Sequence, residues 1–114
     1  MVNFCVQVVR NCRRLGIPFG LEIPKTSLLW SLPPLNSEGP TDVLTSFDFC
    51  QYGTSWRKPT SVLSNHRALQ AIGLCCSPKA GLSARTGRRH QLLEGETPEG
   101  VWWTTVAEPY PPRL

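Results

Sequence analysis

A chain of 114 residues with 40% hydrophobic and 18% charged residues suits one small domain or part of one, and excludes a polymer held open by its own charge. Its net charge of +4 is unevenly spread: residues 1–90 hold eleven Lys/Arg against four Asp/Glu, whereas residues 91–114 hold one against four. No apolar run reaches the ~20 residues of a bilayer-spanning helix, so a membrane partner is not expected, and a basic body with an acidic tail instead suits an anionic partner such as nucleic acid.

Val2, Cys5, Val8 or Val9, Cys12 and Leu15 recur at helical spacing, with Asn3, Gln7, Arg10 and Arg14 on the other face. This predicts an amphipathic helix over 2–15 that packs on a sheet and stops at Gly16, with Pro18 just beyond. Arginines in its last turn suit the helix dipole and need no ligand. Residues 17–23 read as a short strand ending at Glu22 or Ile23, and Pro24 prevents continued central pairing. Thr26 or Ser27 can cap a short helix through Leu28, Leu29 and Trp30. Pro33 and Pro34 interrupt it, and residues 36–41 form a turn signal.

Val43 to Cys50 predicts a strand leading into Tyr52-Gly53, a reversal in which glycine takes a positive φ. Residues 60–64 predict the next strand, so Trp56-Arg57-Lys58 stands at a loop tip between two strands. Residues 66–73 form two helical turns ending at Gly73. Residues 74–89 are rich in Gly, Ser and Pro and read as a long loop. Gln91-Leu92-Leu93 is a candidate short strand, and Val101 to Val106 is a strand by composition, with Trp102 and Trp103 on opposite faces and one ring in the core.

Trp56, Arg57 and Lys58 could stack on a base and touch phosphate, or cover a sheet edge with two solvated cations. Arg85, Arg88, Arg89 and His90 make the densest positive cluster, in a loop suited to following a phosphate backbone; the acidic tail could instead neutralise it. The five cysteines are odd in number and irregularly spaced, with no signal peptide ahead of them. A reducing intracellular compartment is expected, with nucleus and cytoplasm left open. Cys75, Cys76, His66 and His90 lack the usual spacing of a zinc site, so no metal is expected there.

Two stretches in fixed order carry a resemblance: Phe19-Gly20-Leu21-Glu22-Ile23-Pro24 followed by Ser27 and Trp30, and Cys50-Gln51-Tyr52-Gly53 followed by Lys58-Pro59-Thr60 and Ser64-Asn65. Together they resemble the later part of phage-type DNA cytosine-5 methyltransferases, where a Glu-Asn-Pro strand end precedes a Tyr-Cys-Gln-Tyr-Gly-like strand and a Lys-Pro-Thr hairpin. Cys75 through Thr86-Gly87 is similar to that family's cysteine- and glycine-bearing loop, and residues 107–114 to the run before its last helix. The likeness covers roughly residues 15–114.

The resemblance implies a truncated Rossmann-like, class I methyltransferase-like α/β sheet with an irregular Cys/Gly/Arg-rich loop, as a single partial domain over 1–114. Residues 1–73 would form its helix-strand-hairpin part, 74–90 its basic loop, and 91–114 its short strands and acidic tail. Glu22 matches the glutamate that engages N3 of a flipped cytosine, and Ile23 stands where the family has asparagine. The family's Gly-rich S-adenosylmethionine loop and Pro-Cys nucleophile have no counterpart among the 21 residues before Glu22. The expectation is therefore a non-catalytic remnant or fragment with weak DNA binding through Trp56, Arg57, Lys58, Arg85, Arg88 and Arg89. It would use S-adenosylmethionine only if another chain completed it. Two alternatives stand beside it: a subunit of a split methyltransferase, and a small interaction module whose exposed sheet edge pairs with a second protein chain.

Overall fold

The computed structural model describes residues 2–32, 35, 42–77 and 81–114. The expected interruption at Pro33-Pro34, the turn over 36–41 and part of the 74–89 loop lie outside the described residues. The order of elements is helix α1 (Val2–Leu15), strand β1 (Gly20–Pro24), a 3₁₀ turn (Leu28–Ser31), strand β2 (Val43–Asp48), a 3₁₀ turn (Phe49–Tyr52), strand β3 (Pro59–Ser64), a 3₁₀ run (Arg67–Ile72) and a one-turn helix α2 (Trp103–Val106). Contacts divide the chain into two compact units, residues 1–46 with 60–73 and residues 47–59 with 74–114.

In the first unit α1 closes as its periodicity predicts, with Gly16 in the left-handed region at φ 68° just after it. Val9 is the helix residue driven fully inside, where it joins Ile23, Leu35 and Leu63 in a core flanked by Phe19, Leu21, Leu29, Trp30 and Leu32. The sheet order is β1-β3-β2, so β1 is an edge. It pairs antiparallel with β3 from Gly20 opposite Ser64 to Pro24 opposite Thr60. Pro24, which has no N–H to give, thus ends an edge strand and not a central one. The chain is mixed α/β, with a small three-stranded antiparallel sheet.

Side chains clamp the entry to β1. Asn65 Oδ1 accepts the Phe19 N–H at 2.9 Å, Asn65 Nδ2 donates to the Ile17 carbonyl at 3.0 Å, and Ser64 Oγ donates to the Phe19 carbonyl at 2.6 Å. Of the two candidate caps, Thr26 and Ser27, it is Ser27 whose Oγ caps the first 3₁₀ turn by accepting the Leu29 N–H at 3.2 Å. The helical turns expected after residue 66 form as a 3₁₀ run capped by His66, whose Nδ1 accepts the Ala68 N–H at 3.3 Å. Arg13 has a partner that the dipole does not foresee: its Nη2 lies 2.6 Å from Oδ2 of Asp42, whose side chain is 1% exposed.

In the second unit three expectations are corrected. The β2 strand stops at Asp48 and does not reach Cys50; Phe49–Tyr52 coils into a 3₁₀ turn because the Phe49 N–H goes to the Arg57 carbonyl at 2.7 Å. Gln91-Leu92-Leu93 forms no strand. Trp103–Val106 is helical: Val106 and Ala107 donate to the Trp102 and Trp103 carbonyls, and backbone pairing with residues 95–97 ends at the Trp103 N–H, which reaches the Gly95 carbonyl beside the Glu96–Trp102 bridge. β-branched and aromatic composition favours a strand only where a neighbour offers its backbone, and here local bonds win. Trp102 is 58% exposed as a result, and Trp103 half-buried. Phe47 stacks on Phe49 and meets Tyr52 edge-on, with centroids 5.8 and 5.9 Å apart.

Candidate functional site

Chemistry-bearing side chains concentrate in the second unit. Its foundation is Asp48, 3% exposed, which accepts the Cys76 N–H on Oδ2 at 2.6 Å and has the Arg57 Nε 3.3 Å away. Arg57 Nη2 also donates to the Cys76 carbonyl at 3.3 Å. One carboxylate and one guanidinium therefore fix the chain on both sides of Cys76. Beyond it, residues 81–90 fold into a tight hairpin-like loop. Leu82 bridges Arg89, the Ser83 N–H reaches the Arg88 carbonyl at 2.7 Å, and the His90 N–H reaches the Gly81 carbonyl at 3.1 Å. Gly87 turns the tip at φ 69°, in the left-handed region, and its N–H closes on Ser83 O at 2.8 Å.

That loop walls a cavity of about 200 Å³ lined by Thr54, Ser55, Ser83, Arg85, Thr86, Arg88 and Arg89. Arg85 is partly committed, since its Nε donates to the Cys50 carbonyl. Arg88 and Arg89 are exposed, and their side chains make no hydrogen bond or ion pair among the described residues. The acidic tail, which could have neutralised them, does not pair with them there. Guanidinium forks beside hydroxyl donors are suited to the oxygens of a phosphate or carboxylate.

The structure thus brings Arg85, Arg88 and Arg89 together with Thr54 and Ser55, which are not among the residues the sequence singles out. Thr-Ser in a loop carries no signal of its own until the 81–90 hairpin is placed opposite; the Gln91 N–H on the Ser55 carbonyl at 2.9 Å fixes that pairing. The Trp56-Arg57-Lys58 stretch is set differently from Arg88 and Arg89. Arg57 serves Asp48 and Cys76, as above. Lys58 Nζ donates to the Ala107 carbonyl at 2.7 Å and lies 4.6 Å from the centroid of the Phe49 ring. Trp56 is half-buried, with its indole N–H unpaired among the described residues. Glu22 belongs to the first unit, at the middle of β1 opposite Val62 and not at the strand's end.

A second grouping lies at the base of the same loop. Cys50 and Cys76 are buried, His90 is half-buried, and the two Sγ atoms and a His90 ring nitrogen all lie within 4.8 Å of one another. Cys76 Sγ is 3.7 Å from His90 Nε2 and accepts the Ala84 N–H at 3.3 Å; Gln51 Nε2 donates to Cys50 Sγ at 3.4 Å. Burial pushes the Cys50 thiol above its ordinary range; the neighbouring Cys76 adds to that push, and Gln51 and Ser83 oppose it. Spacing along the chain argues against zinc at Cys75, Cys76, His66 and His90, since they hold no Cys-x-x-Cys and two of them are adjacent thiols. Cys75 is instead exposed, and His66 caps a turn in the first unit.

Comparison with family models, with curated proteins and with solved structures found no match to the chain.

Proposed function

We propose that this protein binds the phosphate backbone of nucleic acid through the arginine-lined cavity of its second unit, and that it does so without catalysing methyl transfer on its own. The observation that carries the reading is the convergence of Arg85, Arg88 and Arg89 with Thr54, Ser55, Ser83 and Thr86 around one cavity. Arg88 and Arg89 make no side-chain hydrogen bond or ion pair among the described residues, which favours their charge being available to a ligand. The positive balance of residues 1–90 would draw a polyanion toward such a cavity. The sequence resemblance to DNA cytosine-5 methyltransferases favours DNA as the polymer and a Rossmann-like ancestry for the sheet. In that reading the chain supplies target-facing residues, and a methyl donor would bind only with help from another chain.

Fluorescence anisotropy on a labelled DNA duplex over a range of salt concentrations tests this. Affinity should fall as salt rises, and Arg88→Ala and Arg89→Ala should each make the slope shallower by about 1. Arg14→Ala, on the helix of the first unit, should leave the slope unchanged. Affinity independent of salt, or equal loss from Arg14→Ala, would dismiss the reading.

A further inference from the structure

We propose that Cys50, Cys76 and His90 form a binding site for one zinc-class divalent cation, held by two thiolates and an imidazole, with a fourth position left to water or an added ligand. The proposal goes beyond phosphate binding and stands independently of it.

Distance is the first argument. Zinc–sulfur and zinc–nitrogen bonds of about 2.3 and 2.1 Å at a tetrahedral angle set a sulfur and a nitrogen about 3.6 Å apart. Cys76 Sγ and His90 Nε2 are 3.7 Å apart, so one edge of the tetrahedron already has its length. Cys50 Sγ lies within 4.8 Å of both, close enough for a rotamer adjustment to complete the triangle. A disulfide would explain two sulfurs but leave the imbalance of a histidine nitrogen turned onto one of them.

Donor chemistry is the second. Each sulfur already receives an N–H, Cys76 from the Ala84 backbone and Cys50 from the Gln51 amide. Such N–H groups hold each sulfur in place and would remain as outer donors to it once a cation replaced the thiol proton. Two buried thiols and an imidazole make a donor set of the soft and borderline kind that suits zinc and not magnesium or calcium.

The third argument is where the ligands sit in the chain. Cys50 belongs to the 3₁₀ turn after β2, while Cys76 and His90, 14 positions apart in the sequence, bracket the arginine hairpin. A cation there would tie off both ends of the loop that carries Arg85, Arg88 and Arg89. The expected effect is structural: a metal bound to the folded chain alone raises its stability by mass action.

The full chain, reduced and stripped with chelator, is titrated with cobalt(II) and then zinc(II). One equivalent of cobalt should give thiolate charge-transfer absorption and the strong visible bands of a four-coordinate ion, both bleached by zinc. Cys50→Ser, Cys76→Ser and His90→Ala should each weaken binding by about 100-fold or more, while Cys75→Ser and the Cys5→Ser, Cys12→Ser double variant keep it. Arg88→Ala should also keep it, which separates this site from phosphate binding. If a ligand variant fails to fold, the spectrum of the unaltered chain decides. The proposal is overturned if that reduced, folded chain gives only the weak bands of six-coordinate cobalt or none, if Cys75→Ser abolishes the signal, or if Cys50 and Cys76 form a disulfide in air but ignore metal after reduction.

Discussion

Arg13 illustrates how a charge on a helix can be drawn out of solvent by a partner far along the chain. Its Nε donates to Asp42 Oδ2 at 2.7 Å, and the carboxylate beneath it is almost wholly buried, with Oδ1 unpaired among the described residues. Removing the guanidinium would strand that charge in a poor solvent. Arg13→Ala should therefore lower stability by about 3 kcal/mol in urea denaturation, and the same change made in an Asp42→Asn background should cost much less. Equal losses in both backgrounds would mean that Arg13 acts by packing alone. Nothing in the spacing of Arg10, Arg13 and Arg14 distinguishes the one that pairs. The helix dipole favours Arg13 and Arg14 alike, since it depends only on position along the helix, and Asp42 is 29 residues away.

Among elements, the turn between β2 and β3 depends most on one backbone conformation. Gly53 ends the 3₁₀ turn at φ 110°, and a Cβ placed there would lie 3.4 Å from Pro112 Cγ. That is ordinary contact, so Gly53→Ala costs backbone strain and should destabilise by about 1–2 kcal/mol, read as a lower thermal midpoint. An unchanged midpoint would show that the turn adjusts freely. This element also marks how far the sequence could be read. The Tyr52-Gly53 reversal, α1, the Ser27 cap and the run ending at Gly73 were legible because each is set by a local signal: periodicity, a capping hydroxyl or a glycine. Trp103–Val106 was misread because β propensity needs a partner strand, and among the described residues pairing with the 95–97 segment stops at the Trp103 N–H. The arginine cluster was legible as charge density. Its companions Thr54 and Ser55, and the meeting of Cys50 with Cys76 and His90, depend on long-range packing that no spacing rule encodes.

At the scale of the whole molecule, two buried groups tie stability to alkaline pH. Burial raises the ionisation of both Cys50 and Tyr52 above their ordinary values of 9.0 and 10.0. Below pH 9 both stay protonated whether the chain is folded or not, and their contribution is fully present. As pH climbs past 9 the unfolded chain releases these protons first, so stability should fall and continue to fall toward the raised native values. Urea midpoints of chelator-treated protein at about pH 8 and about pH 10 check this, and identical midpoints would refute it. Among the described residues no helix is long and apolar enough to cross a membrane. The largest consequence follows from connectivity. Residues 60–73 belong to the first unit yet interrupt the second, so each unit is assembled from two separated lengths of polypeptide. Truncation mapping would therefore mislead, because any terminal deletion that enters residues 60–73 removes parts of both units at once. Functions in this protein can be assigned by point substitution, and excised segments would report only on their own misfolding.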